Sequence, residues 1–236
     1  MLIVGGVDIG NRKDVSPRMI DAIRSSDIIL AENIRLFLDL CNTLNIEVEA
    51  EIIHYYAPMD EEKDLKIVSE IDTALALDKT VLVVSDDGMP GIADPGGRII
   101  RMAHERGHRV TVVPGPSIVS TLPAVLGVYG GSFTFEDELP DIYEQRLEKL
   151  NRLKNENRGF LFIVKNRRDD NVVFKETLKD IVSVFPSYCE VGIGLNITMP
   201  NEKIILGNVS TIMNQVKEYE FSPKDFIAVY VGASYE

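Results

Sequence analysis

With 236 residues, 45% of them apolar and 26% charged, the chain has enough nonpolar side chains to bury one large core or two smaller ones. No run of about eighteen apolar residues occurs and no basic segment precedes the short apolar stretch at residues 1–6, which argues against a membrane span or a secretory leader and predicts a cytoplasmic protein. A formal net charge of −12 repels polyanions at long range, so a nucleic-acid substrate would require a local basic patch.

Residues 2–6 predict a strand running into the loop GGVDIGN, whose glycines permit a sharp turn or the close approach of a ligand. Ser16 and Pro17 supply an N-cap and a first-turn proline, and Met19, Ile20 and Ile23 form a helical apolar stripe. A strand over 28–31, a helix over 35–44 and a strand over 51–55 follow. Residues 60–78 open with acidic side chains, which a helix dipole favours, and carry Leu65, Val68, Ile71 and Leu75 on one side, predicting a helix. Residues 80–84 are a wholly apolar central strand. Asp94 and Pro95 repeat the cap-and-proline signal, so a helix is expected over 96–106, stopped by Gly107 and followed by a strand over 109–113. This alternation of strands and helices predicts a mostly parallel sheet.

The second half predicts helices over 117–126, 143–155 and 171–184 and strands over 160–164, 190–197, 203–206 and 226–231, with a further helix capped by Ser210. The segment GVYGGS, 127–132, is the best linker candidate. The simplest arrangement is two α/β domains, 1–116 and 117–236, with a ligand cleft between them. Cys41 and Cys189, far apart in amphipathic surroundings, read as reduced core thiols. Arg146, Lys149, Arg152, Lys154, Arg158, Lys165, Arg167 and Arg168 form the one candidate basic patch, which reads either as a phosphate contact or as a solvated helix face and loop.

His104-Glu105-Arg106-Gly107-His108 matches H-E-x-x-H, but a zinc site of that type needs the helix to continue through the second histidine, and Gly107 stops it. The loop GGVDIG lacks dinucleotide-fingerprint spacing, no Walker lysine follows a glycine loop, and no serine stands in a G-x-S-x-G elbow. What remains is a pair of loops, SDDGMPGIADPGG and VVPGPS, each leaving the carboxyl end of a predicted strand, where open α/β sheets bind ligands. Asp94 reads first as a helix N-cap, and Ser117 as an N-cap, a ligand contact, or both. Asp86 and Asp87, adjacent carboxylates at the end of a buried strand, are best accommodated facing a cleft, where they would favour a cation.

At these loops the sequence resembles the tetrapyrrole methylase superfamily of S-adenosylmethionine-dependent methyltransferases. Gly88-Met89-Pro90-Gly91-Ile92-Ala93 lies where that superfamily often has G-D-P-G-I-Y, and VVPGPSIVS is similar to its V-P-G-x-S-S segment. SDDGMPGIADPG most resembles the S-D-A-G-T-P-L-I-S-D-P-G segment of the branch that methylates ribose 2′-hydroxyls of small-subunit ribosomal RNA. DIGNRKDVSPRMIDAIRSSDIILAENIR, ELPDIYEQR and GFLFIV resemble further elements of that branch, so the likeness covers nearly the whole chain.

The resemblance implies two α/β domains in a homodimer, with S-adenosylmethionine between the domains and no metal. Carried over by position, Gly88, Met89, Pro90, Ile92 and Ala93 would hold the methionine part, with Ser117 and Ile118 beside it. Ile163, Val164, Asn196, Ile197, Phe226 and Ile227 would surround the adenosine. Lys165, Arg167 and Arg168 would meet substrate, with Asn11 and Arg35 as orienting groups, and Asp8, Asp86 and Asp87 are the candidate bases for deprotonating a hydroxyl. The chain departs from the branch pattern where Y-E-S-P-H-R becomes Ile163-Val164-Lys165-Asn166-Arg167-Arg168, where R-E-L-T-K becomes Leu195-Asn196-Ile197-Thr198-Met199, and where Asp8 replaces a proline. Ribosomal RNA is the leading acceptor on this reading. A tetrapyrrole or other small-molecule acceptor, favoured by the acidic composition, and a non-catalytic cofactor-binding protein, favoured by the lost charged residues, are the alternatives.

Overall fold

The computed structural model describes residues 1–56, 60–128, 131–156, 158–164, 171–217, 219, 221–222 and 225–234. The chain divides into two compact units, Met1–Ser117 and Ile118–Glu236. The division lies between Ser117 and Ile118, one residue from the expected 116/117 boundary, and the linker candidate at 127–132 falls within the span of the second unit.

The first unit alternates β1 (Leu2–Gly5), a 3-10 turn (Arg12–Asp14), α1 (Pro17–Ser25), β2 (Ile28–Ala31), α2 (Ile34–Thr43), β3 (Glu51–His54), α3 (Glu61–Ala76), β4 (Val81–Val84), α4 (Gly97–Glu105) and β5 (Val110–Val113). Its strands pair in the order β3-β2-β4-β1-β5, all parallel. Side chains alternate across the sheet, so Ile3, Ile29, Ala31, Leu82 and Val84 pack with Met19, Ile23, Phe37 and Leu40 of α1 and α2 on one face. Leu2, Ile28, Leu30, Val81 and Val83 pack with Ile71, Leu75, Ile99 and Met102 of α3 and α4 on the other. Burial on both faces is why β2 and β4 read as unbroken apolar runs.

Local capping chemistry starts the helices. Ser16 Oγ accepts the Met19 N–H at 3.2 Å with Pro17 next in line, and Asp60 Oδ1 accepts the N–H groups of Glu62 and Lys63 ahead of an acidic first turn. The expected cap at Asp94 does not fall at the N-cap position of the helix. α4 begins at Gly97, its cap is Gly96 at φ 119° with no side-chain hydrogen bond, and the Gly91 N–H donates to the Pro95 carbonyl at 3.2 Å. That backbone bond closes residues 91–95 into a loop of their own, so the helix starts only after it. At its far end α4 stops at Glu105, Gly107 turns at φ 75°, and His108 leaves the helix axis with Nε2 2.7 Å from Asp72 Oδ1.

The second unit comprises α5 (Ile118–Leu126), β6 (Phe133–Glu138), α6 (Tyr143–Lys154), β7 (Gly159–Val164), α7 (Asn171–Val184), β8 (Glu190–Leu195), β9 (Lys203–Asn208), α8 (Ile212–Val216) and β10 (Ile227–Val231). Its sheet has the order β6-β7-β10-β8-β9, with only β6 and β7 parallel. The parallel pattern of the first half thus does not extend here: the β8–β9 connection is too short for a crossover helix, which leaves an antiparallel pair. Phe160, Phe162, Ile193, Val229 and Val231 pack against Leu150, Phe174, Leu178 and Ile212 from α6, α7 and α8. On the opposite face α5 lies close to β8, where a β-carbon added to Gly192 would collide with Leu126 and one added to Gly194 would lie 2.8 Å from Leu122 Cδ1.

Two features of this unit escaped the sequence reading. β6 has no counterpart among the predicted elements. α8 is capped at Thr211 rather than Ser210, whose hydroxyl donates to Asn208 Oδ1 at 2.6 Å.

Candidate active site

Parallel strands bring their carboxyl ends to one edge of a sheet, and the loops that leave β1, β4 and β5 there are joined by backbone hydrogen bonds. The Gly6 N–H donates to the Val113 carbonyl, the Val7 N–H to the Gly88 carbonyl and the Gly88 N–H to the Asp8 carbonyl, each at 2.9 Å. The Gly115 N–H points at Met89 Sδ, 3.4 Å away. Gly6 and Gly115 meet backbone to backbone: a β-carbon on Gly6 would lie 2.6 Å from the Gly115 nitrogen, and one on Gly115 would lie 2.7 Å from the Gly6 carbonyl carbon. Gly88, at φ 68°, turns the chain where other residues would be strained.

Asp8, Glu32, Asp86 and Asp87 stand close to the carboxyl ends of β1, β2 and β4. Asp8 is 1% exposed and fully engaged, Oδ1 accepting the Gly10 N–H at 2.9 Å and Oδ2 accepting from Arg12 Nη1 at 3.0 Å. Glu32 directly follows β2, and its Oε2 accepts the Asp86 N–H at 3.2 Å. Burial, then the charges of Glu32 and Asp87, push the half-buried Asp86 carboxyl up to about 6, against a lowering influence from the Asn33 backbone and His54. Asp87 retains open surface. Its carboxyl is raised too, through loss of hydration among the loops and then through Asp8, with Arg12 opposing, but solvent screens these effects. Asp86 and Asp87 thus both combine access with raised basicity, and Asp86 is the one tied through its backbone N–H to Glu32.

The other predicted site residues fall into two groups. In the first unit Met89 is half-buried, Pro90 buried, and Ile92 and Ala93 exposed on the same loop, while Ser117 ends the unit. Asn11 caps the 3-10 turn, its Oδ1 accepting the Lys13 N–H at 3.1 Å, and Arg35 is exposed in the first turn of α2. In the second unit Ile118 opens α5, and a single edge of the sheet collects most of the rest: Ile227 is in register with Val164 on one side and Leu195 on the other. That register draws Ile163, Asn196, Ile197 and Phe226 to the same edge. Asn196, left-handed at φ 48°, is fixed there by its own hydrogen bonds: Nδ2 donates to Asp225 Oδ1, Oδ1 accepts the Phe226 N–H, both at 2.8 Å, and its N–H donates to the Phe226 carbonyl at 2.9 Å. Lys165, Arg167 and Arg168 lie outside the described residues.

Of the eight residues of the candidate basic patch, three form ion pairs, Arg152 is exposed, and Lys165, Arg167 and Arg168 lie outside the described residues. Arg146 is 4% exposed and pairs with Asp180, Lys149 pairs with Glu136 at 3.2 Å, and Arg158 pairs with Glu156 at 2.7 Å. Arg146, buried and paired, is a poor phosphate contact, whereas Arg158 is exposed and its surface pair leaves it open to solvent. Conversely, Glu32 and Arg12 belong to the loop cluster although neither is among the predicted site residues. Glu32 did carry a signal, since it follows an apolar parallel strand just as the Ser85-Asp86-Asp87 segment does.

Two α/β units, the first with glycine loops gathered at the carboxyl ends of its parallel strands, define a class, the two-unit α/β proteins with a ligand edge of that kind. The chain belongs to the family described as Tetrapyrrole (Corrin/Porphyrin) Methylases, whose sequence model matches residues 1–213. A relative from Thermotoga maritima named ribosomal RNA small subunit methyltransferase I is 33% identical over 217 residues, covering 92% of each chain. A protein of the same name from Xylella fastidiosa is 31% identical over 96% of this chain and 79% of its own length. Among solved structures, the methyltransferase CobJ superposes over 99% of this chain and 94% of its own with a TM-score of 0.63 at 17% identity. A uroporphyrin-III-C-methyltransferase from Thermus thermophilus covers 98% of this chain and 93% of its own with a TM-score of 0.60 at 15% identity, and these two structures speak to the fold alone.

Proposed function

We propose that this chain is an S-adenosylmethionine-dependent methyltransferase acting on a ribose 2′-hydroxyl of small-subunit ribosomal RNA, in the cytoplasm and as a homodimer. The observation that carries the acceptor is the 33% identity to the Thermotoga protein across 92% of both chains.

The loop cluster suits such a cofactor. Gly6, Gly88 and Gly115 keep side chains out of a cradle that β-carbons at Gly6 and Gly115 would disrupt, and the surrounding carboxylates favour a cationic ligand. Bound S-adenosylmethionine supplies a methyl group on a positively charged sulfur, open to in-line attack. The residues of this chain then have to bind, orient and deprotonate. On this reading Gly88, Met89, Pro90, Ile92 and Ala93, with Ser117 and Ile118, hold the methionine part, and Ile163, Val164, Asn196, Ile197, Phe226 and Ile227 contact the adenosine. Asp8, neutralised by Arg12, holds the first loop, while Asp86 accepts the hydroxyl proton as its oxygen attacks. Asn11, Arg35, Lys165, Arg167 and Arg168 are the proposed RNA contacts.

A small-molecule acceptor is the second reading, favoured by the net charge of −12 and by the loss of Arg146 from the basic patch. Incubating the protein with methyl-labelled S-adenosylmethionine and, separately, small ribosomal subunits, stripped ribosomal RNA and a tetrapyrrole mixture decides between them. Label in ribose of the subunit RNA supports the first reading; label only in tetrapyrroles replaces it with the second; cofactor binding with no label in any fraction points to a non-catalytic protein.

A further inference from the structure

β2 and β4 are neighbours in the first sheet although α2, β3 and α3 separate them in sequence, so the residues that follow them, Glu32 and Asp86, meet at its carboxyl edge. The contact is made by backbone and side chain together, with the Asp86 N–H donating to Glu32 Oε2 at 3.2 Å. A carboxylate that accepts this amide is held in place, and its negative charge stands beside the neighbouring Asp86 side chain. Nothing in Glu32's backbone role requires a charge, since the amide oxygen of a glutamine would accept the same hydrogen bond.

We propose that Glu32 is a positioning residue for Asp86: it fixes the start of the Asp86 loop and sets a second negative charge beside the Asp86 carboxylate, strengthening that carboxylate as the acceptor of the substrate hydroxyl proton. The inference rests on the methyltransferase reading and adds a residue to it. In the step concerned, the hydroxyl oxygen bonds to the methyl carbon, the carbon–sulfur bond breaks with its electron pair passing to sulfur, and the hydroxyl proton moves to Asp86.

The groups that face Asp86 are accounted for. Glu32 from the end of β2 and Asp87 from its own loop raise it; the Asn33 backbone and His54 from the end of β3 lower it. Asp8 and Arg12, from the loop after β1, act on the adjacent Asp87 with opposite signs. Of the two carboxylates that raise Asp86, Glu32 has the larger influence, and it alone is anchored through the Asp86 backbone.

Glu32→Gln removes the charge and keeps the acceptor, so it separates the electrostatic role from the structural one. In carbon-detected titration of the full chain without substrate, with Asp86 assigned through Asp86→Asn, the Asp86 midpoint is expected to fall by about 1 pH unit in Glu32→Gln, the scale of one nearby like charge. The acidic limb of kcat/KM for RNA methylation is expected to fall with it, and Glu32→Asp, which restores the charge, to return both toward wild type. An unchanged Asp86 midpoint in folded Glu32→Gln overturns the proposal, and so does a midpoint that falls while the acidic limb stays where it was. If wild-type protein methylates no RNA, the methyltransferase reading has failed on its acceptor, and the titration midpoints alone decide whether Glu32 governs Asp86.

Discussion

Arg146 Nε donates to Asp180 Oδ2 at 2.7 Å, and both residues are buried beneath the connection from β6 to α6. The guanidinium also donates from Nη1 to the carbonyls of Pro140 and Asp141, so a side chain that reads as a surface cation instead ties its own helix to the preceding turn and to α7. Removing one partner strands the other charge away from water. Arg146→Met is therefore expected to cost about 3–5 kcal/mol in urea unfolding, while Arg146→Met combined with Asp180→Leu recovers most of it. The salt dependence of RNA binding, measured on whatever folded fraction remains, is expected to be unchanged, because Arg146 releases no counterion from a phosphate.

The close approach of Gly6 and Gly115 gives a second expectation. A methyl group on Gly115 meets the backbone of Gly6, and one on Gly6 meets the Gly115 backbone as well as Met89 Sδ, so the two loops must separate. Gly115→Ala should cost about 1–3 kcal/mol in stability, the range for overpacking a tight contact. It should also weaken S-adenosylmethionine binding by calorimetry by about tenfold or more, since a displacement near 1 Å in a positioning loop has effects of that order. Stability loss with unchanged cofactor affinity would detach these loops from the cofactor.

Which parts of this molecule are legible in its sequence follows from how far apart the interacting residues lie. The start of α1 at Ser16-Pro17 and of α3 at Asp60 is set within three residues, and β4 declares itself by apolar character alone. Asp94-Pro95 has the same local signal as Ser16-Pro17 but loses to the loop closed between Gly91 and Pro95, a competition invisible to a cap rule. β6 carries Glu136, Asp137 and Glu138, residues disfavoured in strands; Lys149 on α6 supports it by pairing with Glu136 and donating to the Glu136 and Glu138 carbonyls, while a register shift accommodates Asp137 at φ 55°. The candidate site divides the same way. Its glycine loops are visible because they end apolar strands, whereas the Glu32–Asp86 contact depends on β2 pairing with β4 across an intervening strand and two helices.

The raised Asp86 carboxyl makes stability depend on pH. A carboxyl whose folded value lies above its unfolded one favours the folded state fully below the unfolded value, and that contribution is lost as pH rises through the folded value, here from 3.8 to about 6. Ionised Asp86 thus opposes folding above about pH 6. Because the group is only half-buried, the effect is on the order of 1 kcal/mol after allowing for solvent screening. Asp86→Asn is expected to be more stable than wild type by that amount at pH 8 and to show no such advantage at pH 4, read from urea midpoints at the two pH values.

Cys41 is buried in the first core, and burial pushes its thiol up to about 11. A thiol held protonated and out of reach is a poor nucleophile. In native protein at pH 8, alkylation of Cys41 by iodoacetamide, followed by peptide mass spectrometry, should proceed at least about a hundredfold more slowly than in urea-unfolded chain. Labelling at the unfolded rate would contradict a stable core around α2.

Asn196 offers the sharpest separation of scaffold from ligand contact. Its amide donates to Asp225 and accepts from the Phe226 N–H, joining the end of β8 to the start of β10 at the edge where the proposed adenosine contacts gather. Asn196→Asp preserves the acceptor for Phe226 but sets a carboxylate against Asp225 Oδ1, which the native amide approaches to 2.8 Å. Two carboxylates this close share a proton, so the pair titrates above the ordinary range and its contribution to stability is present at low pH and lost as pH rises. At pH 7 the variant is expected to lose about 1–3 kcal/mol, and much of that loss should disappear near pH 4, where wild type serves as the control. Asn196→Gly tolerates the left-handed backbone and removes both side-chain bonds, so it is expected to be destabilised by a similar amount at both pH values. If Asn196 serves the cofactor through the edge it holds together, S-adenosylmethionine affinity in Asn196→Asp should recover with stability as pH falls. Affinity that stays low while stability returns would instead make the amide itself the cofactor contact.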